Sequence, residues 1–143
     1  MNIHDRLYRY FSIQRGGCAS PVMTNLTGLY GAGGNAWLFR HCDVGMALNV
    51  LWKCMPRSWG AVALRWHFFM QEDEAERAIL VADQGMQTAR RENRCPVRMR
   101  KVWHRANNDR DWYRWQRERF EDTRRYADGM GLLEALLVER DAA

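Results

Sequence analysis

Proline is scarce in this chain, with three in 143 residues, so few positions force a break in a helix. No apolar run approaches the roughly 18 residues needed to cross a bilayer. Alternation of Val, Ile and Thr never persists for more than a few positions, which leaves a sheet without its sequence signature. The four cysteines, Cys18, Cys42, Cys54 and Cys95, lack the paired spacing of a structural zinc site, although His41 adjoins Cys42 and Cys95 precedes His104. Residues 1–11 hold Asp5 and Arg6 where an export signal would have an apolar stretch. The expectation is a cytoplasmic protein with reduced thiols and no metal.

Catalytic signatures are missing as well. There is no Gly-x-Ser-x-Gly and no His-Glu-x-x-His, and the histidines (His4, His41, His67, His104) are scattered. The acids Glu72, Asp73, Glu74 and Glu76 crowd together, as capping and solvating residues do at a helix start. Gly31, Gly33 and Gly34 are followed by no lysine, so they read as a flexible link rather than a phosphate loop. Neither an enzyme nor a cofactor is expected.

What the chain has is helical periodicity. Ile3, Leu7, Tyr10 and Phe11 mark a first helix over 3–13, closed by Gly16 and Gly17, with Ser20 and Pro21 opening the next stretch. Asp43 is expected to cap a helix whose stripe is Val44, Leu48, Leu51, Trp52 and Met55, ended by Pro56. Ser58 is expected to cap a very apolar helix over 59–70, which places it centrally, with His67 at the core or its boundary. Ala75, Ile79, Ala82, Met86 and Ala89 continue the spacing. Pro96 would start a helix over 97–106, and Asn107, Asn108 and Asp109 form a turn. A helix over 110–127 follows, interrupted at Gly129 and Gly131. Leu132, Leu133, Leu136 and Leu137 then dock on the core. The fold class is all-α: one compact helical domain over 1–143, divided into a core (1–70), a connecting helix (71–95) and a basic helix-turn-helix-like part with a terminal helix (96–143).

Charge is uneven. Residues 90–125 carry thirteen cations against six acids, a surplus of +7, whereas the whole chain has +5. Twelve of the thirteen are arginines, whose guanidinium forks grip phosphate at two points and stack on rings. From Arg94 to Arg105 no acid intervenes. Such a concentration is the footprint of a polyanion partner, nucleic acid being the commonest. A solvated face with i, i+4 pairs such as Arg114–Glu118 would share part of the pattern. Read as a helix-turn-helix, the pair places Arg110, Arg114 and Arg117 at base edges or nearby phosphates, with Arg98, Lys101 and Arg105 gripping the backbone from the first helix; Arg100 and Arg124 complete the expected DNA-binding set. A scaffolding hairpin would have the same periodicity. Trp112, Tyr113, Trp115 and Phe120 fit a core stripe better than a platform for unpaired bases.

The order of Gly-Gly, Ser20-Pro21, the Gly-rich link, Asp43, Ala47, Val50, Met55-Pro56, Leu64 and Phe68-Phe69 resembles the phage late-gene antitermination proteins of the Q type. The likeness covers about residues 3–70, and residues 96–127 by general character. It implies a sigma-region-4-like helix-turn-helix, binding of double-stranded DNA near a late promoter, and loading onto bacterial RNA polymerase with its sigma factor. Polymerase contacts would use other surfaces, among them the first helix and the acidic 72–76 stretch. The chain departs from that pattern in its long 71–95 segment and in lacking the zinc cluster of some members. The alternative reading is a small phage inhibitor that binds a host protein complex without sequence-specific DNA binding.

Overall fold

In the computed structural model the described residues are 2–16 and 42–142, the side chains of 13–16 excepted. The expectations for Cys18, Ser20-Pro21, the Gly31–Gly34 link and His41 lie outside them. Every regular element among the described residues is a helix, as the periodicity predicts: α1 (Ile3–Gly16), α2 (Asp43–Cys54), α3 (Pro56–Arg91), α4 (Val97–Glu121) and α5 (Arg124–Ala142). None is long and apolar enough to cross a membrane.

Several boundaries differ from the sequence reading, each for a local reason. Cys42, not Asp43, is the N-cap of α2, its Sγ accepting from the Gly45 N–H at 3.1 Å. Burial raises the Cys42 thiol pKa, which keeps it protonated, although the backbone hydrogen bond from Gly45 opposes the shift. Asp43 is instead the first helical residue, where its charge suits the macrodipole. Pro56 opens α3 rather than merely closing α2, a position that wastes no hydrogen bond. Ser58 is then inside the helix and buried. The 59–70 and 71–89 stripes join into one 36-residue helix, because no glycine or proline separates them at residues 61–84. Gly129 and Gly131 do not interrupt α5.

The chain separates into two compact units, one made of Met1–His67 with Arg119–Ala143, the other of Phe68–Glu118. In the first, α2 lies along α5 and α1 touches both. Leu7, Leu48, Leu51, Trp59, Val62 and Leu133 are its largest fully buried side chains. Phe11 stacks on Trp66 at 5.8 Å and 9°. Gly129 is where α5 comes closest to the start of α3: a Cβ there would sit 2.9 Å from Val62 Cγ2 and 3.2 Å from the Ser58 carbonyl oxygen. Arg65 is buried, donating to Glu121 Oε1 from Nε (2.8 Å) and Nη2 (2.6 Å), with its guanidinium 4.4 Å from the Trp66 ring centroid. Helix ends are tied on the surface, where Arg6 donates to Asp141 at 2.9 Å and Arg140 to Asp43 at 3.4 Å. Thr123 caps α5, its Oγ1 accepting from the Tyr126 N–H at 3.2 Å.

The second unit is an antiparallel helical hairpin built from residues 68–91 of α3 and 97–118 of α4. Its turn is a Schellman closure. Asn93 takes the left-handed conformation at φ 53°, which asparagine tolerates better than most residues. The Arg94 N–H bonds to the Ala89 carbonyl at 2.7 Å and the Asn93 N–H to that of Arg90 at 3.2 Å. The Pro96 carbonyl accepts from the Arg100 N–H at 2.9 Å, starting α4.

Candidate nucleic-acid interface

The proposed helix-turn-helix requires a break at Asn107–Asn108–Asp109, and α4 runs through those residues without one. The reason lies in the inward stripe Met99, Trp103, Ala106, Arg110, Tyr113 and Arg117, whose three- and four-residue steps pass straight across the triplet. Arg110 also donates from Nη2 to Asn107 Oδ1 at 2.6 Å, one turn back. A modest propensity cost at three residues does not outweigh that continuity. The basic helix pair is therefore one helix, and its partner in the hairpin is the end of α3.

This arrangement divides the predicted DNA-binding residues into two sets. Arg114 and Arg117 face Glu72. Arg114 donates from Nε to Glu72 Oε1 at 2.8 Å and from Nη2 to Glu76 Oε1 at 3.0 Å. Arg117 donates from Nε to Glu72 Oε2 at 2.6 Å, and its guanidinium lies 6.0 Å from the Phe69 ring centroid. Burial pushes the Glu72 carboxyl upward, but the hydrogen bonds from Arg117 and then Arg114 outweigh it and hold its pKa below the usual range. The same bond to Glu72 raises Arg114. Both arginines fasten the hairpin, and Arg110 is engaged by Asn107 and by Asp111 at 3.2 Å. Arg110, Arg114 and Arg117, expected at base edges or nearby phosphates, thus have partners within the hairpin, and Arg114 and Arg117 would have to give up the buried Glu72 to meet a polyanion. Arg124, at 93% side-chain exposure, lies 3.7 Å from Asp128 in α5 and belongs to the other unit.

Arg98, Arg100, Lys101 and Arg105 form the second set. All four are exposed, and no ion pair engages them among the described residues. Arg90, Arg91 and Arg94, absent from the predicted site, join them at the turn and are also exposed. Around the tip, residues 86–108 hold seven cations and one acid, Glu92, which pairs with Arg94. Val97, at the root of the tip, is 47% exposed.

The sequence held a signal for this division. Glu72 and Glu76 are one helical turn apart, and so are Arg114 and Arg117; the two pairs are nearly equidistant from Asn93. A hairpin folding there brings them face to face. Read as solvation, or as a polymerase-contacting stretch, the acids conceal this. The structure buries Glu72 and leaves the 72–76 stretch partly spent on the clamp.

The aromatics divide too. Tyr113 and Phe120 are half-buried, whereas Trp112 and Trp115 are 52% and 54% exposed. Phe68 makes a T-shaped contact with Trp112 at 5.9 Å and lies 6.3 Å from the Tyr113 ring. The three described cysteines, Cys42, Cys54 and Cys95, are free thiols. No group of three or more His, Cys, Asp or Glu gathers among the described residues as metal ligands would. Compared with protein families, curated proteins and solved structures, the chain finds no match.

Proposed function

We propose that this protein binds DNA, gripping the phosphate backbone with the tip of the Phe68–Glu118 hairpin. One observation carries the reading: Arg90, Arg91, Arg94, Arg98, Arg100, Lys101 and Arg105 are all exposed at the tip and face a single acid, Glu92. Exposed cations keep their hydration and counterions until a polyanion displaces them, and that release drives association. Guanidinium groups add two-point contacts to phosphate oxygens. The helix-turn-helix mode is given up. The tip grips backbone, and backbone contacts position a protein without reading sequence.

The resemblance supplies a context for that grip, namely antitermination on bacterial RNA polymerase at a late promoter. Transcription across a terminator from the neighbouring promoter tests this role, and read-through that does not depend on the protein would remove it. The DNA contact is tested separately by anisotropy with a labelled duplex over a salt series. The triple variant R98A/K101A/R105A should bind far more weakly, its log–log salt slope shallower by about 0.9 for each phosphate that the variant no longer neutralises. An unchanged slope would detach the tip from DNA. The alternative, contact with a host protein complex, gains ground if lysate pull-downs capture such a complex while the duplex goes unbound.

A further inference from the structure

Along α4 the residues Arg98, Lys101, Arg105, Asn108, Trp112 and Trp115 follow one another at three- and four-residue steps, and all six are exposed. That spacing places them in one row along α4, distinct from the inward stripe, with Trp112 reaching Phe68 of α3. The row has two halves of different chemistry. Its first half is cationic, about 10 Å long at 1.5 Å per residue. Its second half presents two indoles, 52% and 54% exposed. Tryptophan is the largest apolar side chain, and leaving two of them half in water forgoes stabilisation that burial would bring. Asp109, one turn beyond Arg105, is exposed and disfavours a phosphate there, which ends the cationic half where the aromatic half begins.

We propose that this row takes a single, unpaired nucleic-acid strand, its phosphates on Arg98, Lys101 and Arg105 and its bases stacked on Trp112 and Trp115. The inference deepens the DNA-binding reading by naming the strand form, and it rests on that reading. A paired duplex hides the faces of its bases, so the indoles gain nothing from it; an unpaired strand offers every base face to a ring. The T-shaped contacts of Trp112 with Phe68 (5.9 Å) and Tyr113 (5.2 Å) fix the attitude of one platform before any base arrives. A lipid surface fits less well. The row has no Leu, Ile or Phe to bury, and insertion deep enough for the indoles would take Asn108 and Asp109 with them.

The test uses the full chain, a labelled thymidine oligonucleotide of about 20 nucleotides, long enough for one site, and a duplex of the same length. Anionic phosphatidylserine vesicles serve as the third probe. The expected result is tighter binding of the single strand than of the duplex. W112A/W115A should weaken the single-strand complex about tenfold or more, following the usual loss per stacked base, and change duplex binding little. W112F/W115F, which keeps aromatic faces, should restore most of the loss. Circular dichroism shows whether each variant remains helical, and the phenylalanine variant keeps the question decidable if the alanine variant unfolds. Single-strand binding that ignores both tryptophans would overturn the inference, as would a preference for duplex; both would leave the cationic tip standing as a DNA contact. Binding of vesicles with neither nucleic acid retained would overturn the inference and the DNA reading together.

Discussion

The two units bury different things. In the unit formed by Met1–His67 and Arg119–Ala143, large side chains fill the interior: Leu7, Phe11, Leu48, Leu51, Trp59, Trp66, Leu133 and Leu137. The hairpin's buried apolar residues are Met70, Ala75, Ile79, Ala82 and Ala106, three of them alanines. Alanine lets helices approach closely but removes little surface from water, at about 25 cal/mol per Å² buried. The hairpin makes up part of that deficit with Glu72, which is shared by Arg114 and Arg117. A region held largely by small residues and an ionic clamp leaves cations and two indoles on its outside. The lesson is that stability and exposed chemistry are distributed separately along one chain.

That contrast can be broken first at the apolar core. Leu51→Ala, at a fully buried position, should cost about 3–4 kcal/mol, as transfer and cavity terms add. Urea denaturation followed by circular dichroism measures it, and a loss under about 1 kcal/mol, far below the ordinary range for a buried leucine, would mean this interior is loosely filled. Next is the clamp. Glu72→Gln removes the carboxylate that Arg117 and Arg114 share and should cost about 2–3 kcal/mol, below the full penalty for breaking a buried pair because Arg114 stays partly in water and keeps Glu76. Native-state hydrogen exchange should place that loss in 68–118, since local stability differs between regions of a fold.

Acid sharpens the same comparison. The folded state holds the Glu72 pKa below its ordinary value, so its contribution is present above the unfolded carboxylate pKa and is lost as pH falls through the folded one. The advantage of the native hairpin over Glu72→Gln should therefore shrink once pH drops below about 4.3. An advantage that grows on acidification would reverse the sign of the linkage.

Glycine replacements give the smallest effects. At Gly129 a new methyl meets the Ser58 backbone and Val62, and Gly129→Ala should destabilise by about 1–2 kcal/mol despite its better helix propensity. At Gly85 the nearest atom is the Met99 sulfur at 2.8 Å, part of a flexible side chain that can swing aside. Gly85→Ala should therefore be near neutral, within about 0.5 kcal/mol. Equal costs at both positions would erase the proposed difference between a rigid interior and an adaptable one.

The all-α class was legible because leucine, valine and tryptophan recur at helical steps, and Leu48, Leu51, Leu133 and Leu137 are buried where that rhythm put them. Boundaries were less legible, since caps are decided by single backbone geometries: a cysteine rather than an aspartate caps α2, and an asparagine rather than a glycine turns the hairpin. The basic stretch was visible as composition. Its division was not, because composition ignores which arginine meets which carboxylate across the hairpin. Only the pairing of Glu72 with Arg114 and Arg117 separates fastening cations from available ones. The exposed pair of tryptophans escaped for a similar reason, since a stripe seen in one helix does not say which side the partner helix covers.

The Schellman closure at Asn93 has a thermodynamic corollary. Three backbone hydrogen bonds, from Glu92 to Thr88 (3.0 Å), Asn93 to Arg90 (3.2 Å) and Arg94 to Ala89 (2.7 Å), hold the turn. The guanidiniums beside it thus start from a preorganised backbone, and engagement of an anion freezes side-chain rotors without first shaping a loop. An anion that meets these guanidiniums alone should show a small heat-capacity change, because no segment folds and no indole is covered; stacking on Trp112 and Trp115 would add a negative one.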